Sequence, residues 1–185
     1  MKTPLFTLLI LSLVFSLNSN AQQQNDSIAS LYEKQNEIKL NGVMLLAGAF
    51  EASYERNLNE ESSVGISFFT PYDTENLDAD INYYISPYYR IFFGKKYAAG
   101  FFVEGFAMLN SIDRDYEVSS SDGYYTYEEE SVTDFALGFS LGGKWVSKNG
   151  FVFELVGGIG RNLFQNDHND SQIVGKFGFN LGYRF

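Results

Sequence analysis

The sequence predicts an all-β fold, an eight-stranded antiparallel up-and-down transmembrane β-barrel. Three observations predict it: hydrophobicity alternating with a period of two, connections that are short on one side and long on the other, and acidic charge gathered in the long ones. The 185 residues read as one domain, and 18 Phe and 13 Tyr against 3 Pro exclude intrinsic disorder, because so many large rings have ample apolar surface to bury. With no Cys, the chain has no disulfide, thiolate nucleophile or Cys-ligated metal. A net charge of −10 speaks against a nucleic-acid partner, whose affinity comes largely from phosphate neutralisation.

The first segment lies outside the fold. Lys2 supplies a positive start, residues 5–17 are mainly apolar, and Ser19-Asn20-Ala21 ends on a small residue, the pattern of a cleaved signal peptide over 1–21. The apolar run is shorter than the roughly 20 residues of a spanning helix. Residues 22–36 are polar and read as a periplasmic linker, leaving 37–185 as the barrel. From Glu37 onward the strands are expected at 37–46, 51–58, 63–70, 81–93, 100–109, 133–146, 151–163 and 172–185. The last is the clearest: Ile173, Phe177, Phe179, Leu181, Tyr183 and Phe185 alternate with Lys176, Gly178, Asn180, Gly182 and Arg184. Phe135, Leu137, Phe139, Leu141 and Trp145 stand opposite Ala136, Gly138, Ser140, Gly142 and Lys144, and Phe153, Leu155 and Ile159 opposite Glu154, Gly158 and Gly160. A helix would scatter both sets around its axis. Pro87 resists this reading, since a mid-strand proline has no N–H for the ladder and calls for a bulge or a place near the rim. Arg56 falls on the apolar phase, which suits a position at the headgroups.

The connections 59–62, 94–99 and 147–150 are tight, whereas 71–80, 110–132 and 164–171 are long. Short periplasmic turns and longer extracellular loops are the habit of outer-membrane barrels. The long stretches, with Asp134 included, hold thirteen net negative charges, so the rest of the mature chain is slightly positive. Strand alternation places Lys39, Glu55, Arg90, Glu104, Lys144, Glu154, Lys176 and Arg184 on the non-lipid face, five cations and three anions. Eight strands leave a lumen that side chains fill, so an interstrand ion-pair network is expected to plug it. The other face then forms an exposed apolar belt, intolerable in water and required in lipid.

The terminal Tyr183-Arg184-Phe185, with Phe177, Phe179 and Leu181 at alternate positions before it, resembles the C-terminal signature that outer-membrane proteins present to the barrel-assembly machinery. The usual order of a polar residue and then a glycine upstream is reversed here, as Gly178 and Asn180. With the export signal and eight alternating strands, the mature chain resembles small Gram-negative outer-membrane barrels of the OmpA or OmpX type. Tyr54-Glu55-Arg56 and the segment from Ile85 through Pro87 to Arg90 are similar to uncharacterised barrel families. The resemblance implies the cell outer membrane, a lipid and lipopolysaccharide environment, Tyr183 and Phe185 as assembly signal, and no settled activity.

Candidate chemistry is sparse. Asp113, Asp115 and Glu117 alternate and offer weak cation ligands, and Glu128, Glu129 and Glu130 beside Tyr124, Tyr125 and Tyr127 offer a site for a sugar, a divalent ion or a cationic partner. Acidic loops are more often simply solvated. His168 between Asp167 and Asp170 is the single general base near neutrality. With Ser171 or 119–121 as nucleophile it supports an alternative reading as a lipid-modifying enzyme, though the spacing of a triad is missing. Gly138 to Lys144 mimics a phosphate loop, but Trp145 stands where Ser or Thr is needed. Glu104 and Glu154 as a glycosidase pair read more simply as ion-pair members. The tyrosines and Trp145 suit aromatic girdles. The expectation is a monomeric, non-enzymatic barrel with no cofactor and no metal, presenting acidic loops. A narrow pore and a soluble periplasmic ligand barrel are the remaining alternatives.

Overall fold

The computed structural model describes residues 34–73, 81–119, 125–164 and 173–185, and within 114–119 and 125–130 it describes the backbone alone. Residues 1–21, expected as a signal peptide, most of the expected linker over 22–36, and His168, Asp167, Asp170, Ser171, Asp122 and Tyr124 lie outside the described residues.

Eight strands follow one another in chain order: β1 (Asn36–Asn41), β2 (Ala49–Asn57), β3 (Ser62–Pro71), β4 (Ile81–Lys96), β5 (Ala99–Ser119), β6 (Tyr125–Val146), β7 (Phe151–Asn162) and β8 (Ile173–Arg184). Each pairs antiparallel with the next, and β8 returns to β1 from Glu37↔Arg184 to Asn41↔Asn180, closing the barrel. Beyond that ladder, Asn36 and Phe185 exchange backbone hydrogen bonds of 3.1 and 2.8 Å. The ends of the described chain and the turns β2–β3, β4–β5 and β6–β7 share one rim, called lower here, and the opposite ends of the strands define the upper rim.

Alternation sorts the wall. In β7, Phe151, Phe153, Leu155 and Ile159 point outward while Val152, Glu154 and Val156 are buried. The lumen is too narrow for large side chains from every strand, so small residues face large ones. A Cβ at Gly138 or Gly142 would lie 2.3 Å from the rings of Phe106 and Phe102 respectively. Two apolar clusters result. Phe69, Tyr84, Tyr88, Phe106, Met108 and Val174 with two alanines fill the upper half. Phe92, Ala98, Phe102 and Val156 fill the lower.

Three expectations are corrected. The strand expected over 37–46 ends at Asn41, and α1 (Gly42–Ala47) follows, because Gly-Val-Met-Leu-Leu-Ala has no alternation to hold it in a sheet. Asn41 caps α1, its Oδ1 accepting from the amides of Val43 and Met44 at 3.2 and 3.4 Å, and Gly48 (φ 104°) ends it in the left-handed conformation. Met44 turns into the upper cluster. Within the connection expected as a loop over 110–132, residues 110–119 and 125–132 continue β5 and β6, which stay in register to Ser119↔Tyr125. Pro87 sits opposite Ile66 in mid-wall with neither a bulge nor a rim beside it. The ladder with β5 keeps one register across it, from Ile85↔Leu109 to Tyr88↔Phe106, which sets Pro87 opposite Ala107. The Ser86 hydroxyl donates to the Ala107 carbonyl at 2.8 Å, taking the place of the amide hydrogen that proline lacks.

Candidate functional site

Between the two apolar clusters the lumen is ionic. Arg90 is its hub: Nε donates to Glu104 at 2.6 Å, Nη1 to Glu55 at 2.8 Å and to Glu154 at 2.6 Å, and Nη2 to the other Glu154 oxygen at 3.0 Å. Lys39 bridges Glu55 and Glu154 at 2.5 and 2.8 Å. Lys144 pairs with Glu55 and lies 2.9 Å from Glu37, and Lys176 meets Glu104 at 2.8 Å. Neutral donors complete the carboxylates: Ser140 to Glu104 at 3.1 Å, Asn180 to Glu154 at 2.8 Å and Tyr88 to Glu55 at 3.2 Å. Aromatic rings lie against the cations, with Arg90 4.3 Å from the Phe102 centroid and 4.4 Å from that of Tyr88, and Lys144 4.7 Å from that of Phe92. Charge inside a small barrel is tolerable only when paired and hydrogen-bonded, and every cation named here has a carboxylate.

The floor is a latch. Arg184 donates from Nε to Glu37 at 2.8 Å, from Nη1 to the carbonyl of Tyr97 at 3.0 Å and from Nη2 to that of Ala98 at 2.8 Å. The β4–β5 turn is thereby drawn under the lumen, with Ala98 buried at φ 39°, a left-handed conformation that few residues other than glycine adopt. The Ala98 amide donates to the Glu60 carbonyl at 2.8 Å, tying this turn to the next one.

The upper mouth is polar but less charged. Asn41 donates to Glu51 at 2.6 Å, and Asn110 donates to Asn162 at 3.0 Å. Above it β4 pairs no further than Ile112 and β7 reaches only to Ala136 on β6. Past those points β5 and β6 pair only with each other among the described residues, a two-stranded ribbon seven residues tall on β5, about 24 Å. Its register sets Asp113 opposite Ser131, Asp115 opposite Glu129, Arg114 opposite Glu130 and Glu117 opposite Tyr127. At its base, Asp113 accepts from Asn82 at 2.7 Å and from the Ser131 hydroxyl. Those two hydrogen bonds, the one from Ser131 foremost, hold the half-buried Asp113 carboxyl below the usual aspartate range.

Comparison with solved structures finds one likeness. The chain is similar to the backbone structure of the Yersinia pestis outer membrane protein Ail in a phospholipid bilayer nanodisc, at 19% identity and a TM-score of 0.39, over 82% of this chain and 99% of that one. No protein-family model matches the chain, and no curated protein sequence does. The closed ladder from β1 to β8 establishes the fold on its own.

Of the residues singled out in the sequence, the structure brings Lys39, Glu55, Arg90, Glu104, Lys144, Glu154 and Lys176 into one contiguous network and joins Arg184 to it through Glu37. Glu37, absent from the set expected on the non-lipid face, shares the phase of Lys39 and belongs to the same network. Asp113 stands at the ribbon base, while Asp115, Glu117, Glu128, Glu129 and Glu130 are placed by backbone register alone. Tyr183 and Phe185 are exposed at the lower rim, and Lys34 lies 5.4 Å from the Tyr183 ring centroid. Arg56, opposite Asn36 near the same rim, is exposed. No group of three or more His, Cys, Asp or Glu side chains suited to a metal ion occurs among the described residues.

The wall is inverted relative to a water-soluble barrel. Glu55, Glu104 and Glu154 are 0% exposed, whereas Phe139, Phe153 and Phe177 are 59%, 46% and 55% exposed. Trp145, Phe151 and Tyr183 continue the outward apolar surface to the lower rim.

Proposed function

We propose that the protein is a non-enzymatic outer-membrane barrel, exported by a cleaved signal peptide, that holds an acidic, tyrosine-bearing hairpin above the membrane surface. One observation carries the reading: charges paired inside and large apolar side chains outside, the arrangement that hydrocarbon solvent imposes. In water that belt is an exposed patch far larger than a soluble monomer tolerates. Tyr183 and Phe185 are the outward residues through which the assembly machinery reads the last strand. Lipid and lipopolysaccharide surround the barrel, and the hairpin engages divalent cations or a cationic partner protein.

The wall is the scaffold and the ribbon the working part. The ribbon's carboxylates are set by register on a frame anchored by the barrel beneath, so its acidic surface is presented at a fixed height rather than on a free coil. The test replaces Asp113, Asp115, Glu117, Glu128, Glu129 and Glu130 with their amides, leaving the wall untouched. Calcium and polycation binding at the cell surface is expected to fall while heat-modifiable migration of the extracted barrel stays unchanged. Unaltered binding overturns the proposed role of the hairpin, and recovery of the protein in the soluble fraction without detergent overturns the membrane reading.

A further inference from the structure

The strand glycines divide into two groups. Those facing inward are required by packing: a Cβ would lie 2.3 Å from the Tyr88 ring at Gly65 and 2.2 Å from the Ser140 hydroxyl at Gly158. At Gly105, Gly157 and Gly175, on the outward face, a Cβ would meet nothing within 4 Å. Nothing in the barrel asks for glycine there, and glycine weakens a strand. In a strand interior it leaves the backbone open to close approach from outside, and where a groove lies over it that opening becomes a site.

Gly157 lies in such a place. It lies opposite Leu141 on β6 and Phe177 on β8, and with Gly143 it floors an outward groove of about 650 Å³ walled by Phe101, Leu141, Trp145, Leu155 and Phe177. The Trp145 ring leans over Gly143, where a Cβ would lie 2.9 Å from it. From Trp145 near the lower rim to Leu141 the groove follows four residues of strand, about 13 Å, within the roughly 15 Å of hydrocarbon in one leaflet. Two exposed lysines neighbour its lower end along the strands. Exposed Lys96 pairs with Ala99, the neighbour of lining residue Gly100, and exposed Lys148 follows Trp145 by three residues. An apolar slot one leaflet deep with two ammonium groups at its interfacial end fits an anionic lipid.

We infer that this groove binds one acyl chain of an anionic phospholipid in the leaflet next to the lower rim, with its phosphate held by Lys96 and Lys148. The inference rests on the membrane-spanning reading above. Lysine suits the task as a mobile point charge that follows a headgroup while the chain is fixed.

The test reconstitutes the full chain in nanodiscs of equal palmitoyl-oleoyl phosphatidylglycerol and phosphatidylcholine and counts the lipids retained on release by native mass spectrometry. The wild-type barrel is expected to keep one phosphatidylglycerol. Gly157→Phe, which fills the groove from the open side, is expected to retain it about tenfold less. Gly105→Phe, outward but away from the groove, is expected to match wild type. The double variant Lys96→Ala with Lys148→Ala is expected to keep a lipid without preference between the two headgroups. Heat-modifiable migration reports folding of each variant, and Gly157→Leu replaces the phenylalanine variant if that one does not close. A folded Gly157 variant with undiminished retention, or a wild-type barrel that holds both headgroups equally, overturns the lipid site alone. A wild-type chain that fails to enter nanodiscs overturns the membrane reading as well.

Discussion

Ser86 and Pro87 show how a local exception is absorbed. A wall carbonyl that faces a proline has no backbone donor, so the Ser86 hydroxyl donates to that of Ala107 instead. Ser86→Ala is expected to destabilise the barrel by about 1–3 kcal/mol, the cost of an unmet buried acceptor. Adding Pro87→Ala restores an amide hydrogen and is expected to recover most of that loss. Urea midpoints for the two single variants and the double variant decide it, and strict additivity refutes the compensation. Arg90 is a harsher case. Arg90→Met strips Glu55, Glu104 and Glu154 of their shared partner and is expected to cost roughly 3–5 kcal/mol by the same measurement. A loss below about 1 kcal/mol, the worth of a surface pair, would show that water reaches these glutamates. Eight of the lumen charges were legible in the sequence because a two-residue period leaves a charge only two faces to choose from. The Ser86 contact was not, since it depends on which carbonyl the closed register sets across from Pro87.

At the scale of elements, legibility follows the apolar pattern and ends with it. β6, β7 and β8 were readable near the wall because large and small residues alternate there. α1 was not, as six small and apolar residues fit a strand or a helix equally until Asn41 and Gly48 are seen as its two caps. The ribbon above Ile112 was read as a loop for the opposite reason. Its residues are polar on both faces, so nothing in the sequence separates a hydrated hairpin from coil. Asp115 stands directly opposite Glu129 there, a pairing of like charges that weakens a ladder unless a cation joins it. The ribbon base carries a pH dependence. The Asp113 pKa is depressed by its bonds to Asn82 and Ser131, so its contribution is complete above the unfolded value of 3.8 and is lost as pH falls through the lower folded value. Amide exchange at the ribbon base, divided by the intrinsic exchange rate at each pH, is expected to be unchanged between pH 7 and about pH 5 and to quicken below about pH 4, with Asp113→Asn abolishing the change. Quickening near neutrality would assign it to another group.

At the scale of the whole molecule, the lumen is layered: polar mouth, aromatic cluster, ionic network, second aromatic cluster, and a floor formed by the β4–β5 turn. The ionic network joins strands on opposite sides, Lys144 on β6 to Glu55 on β2, so the interior acts as a solid core rather than a conduit. Planar-bilayer recordings of the purified chain are expected to lack a steady open level, and a large sustained conductance would contradict this packing. The freestanding ribbon has a consequence for how such a protein changes over generations. Below Ile112 a residue gained or lost disturbs ladders on two sides, whereas above Asp113 and Ser131 both arms can lengthen together and border no other described strand. Changes in length and sequence are therefore open to this chain at the ribbon, at little risk to the vessel beneath.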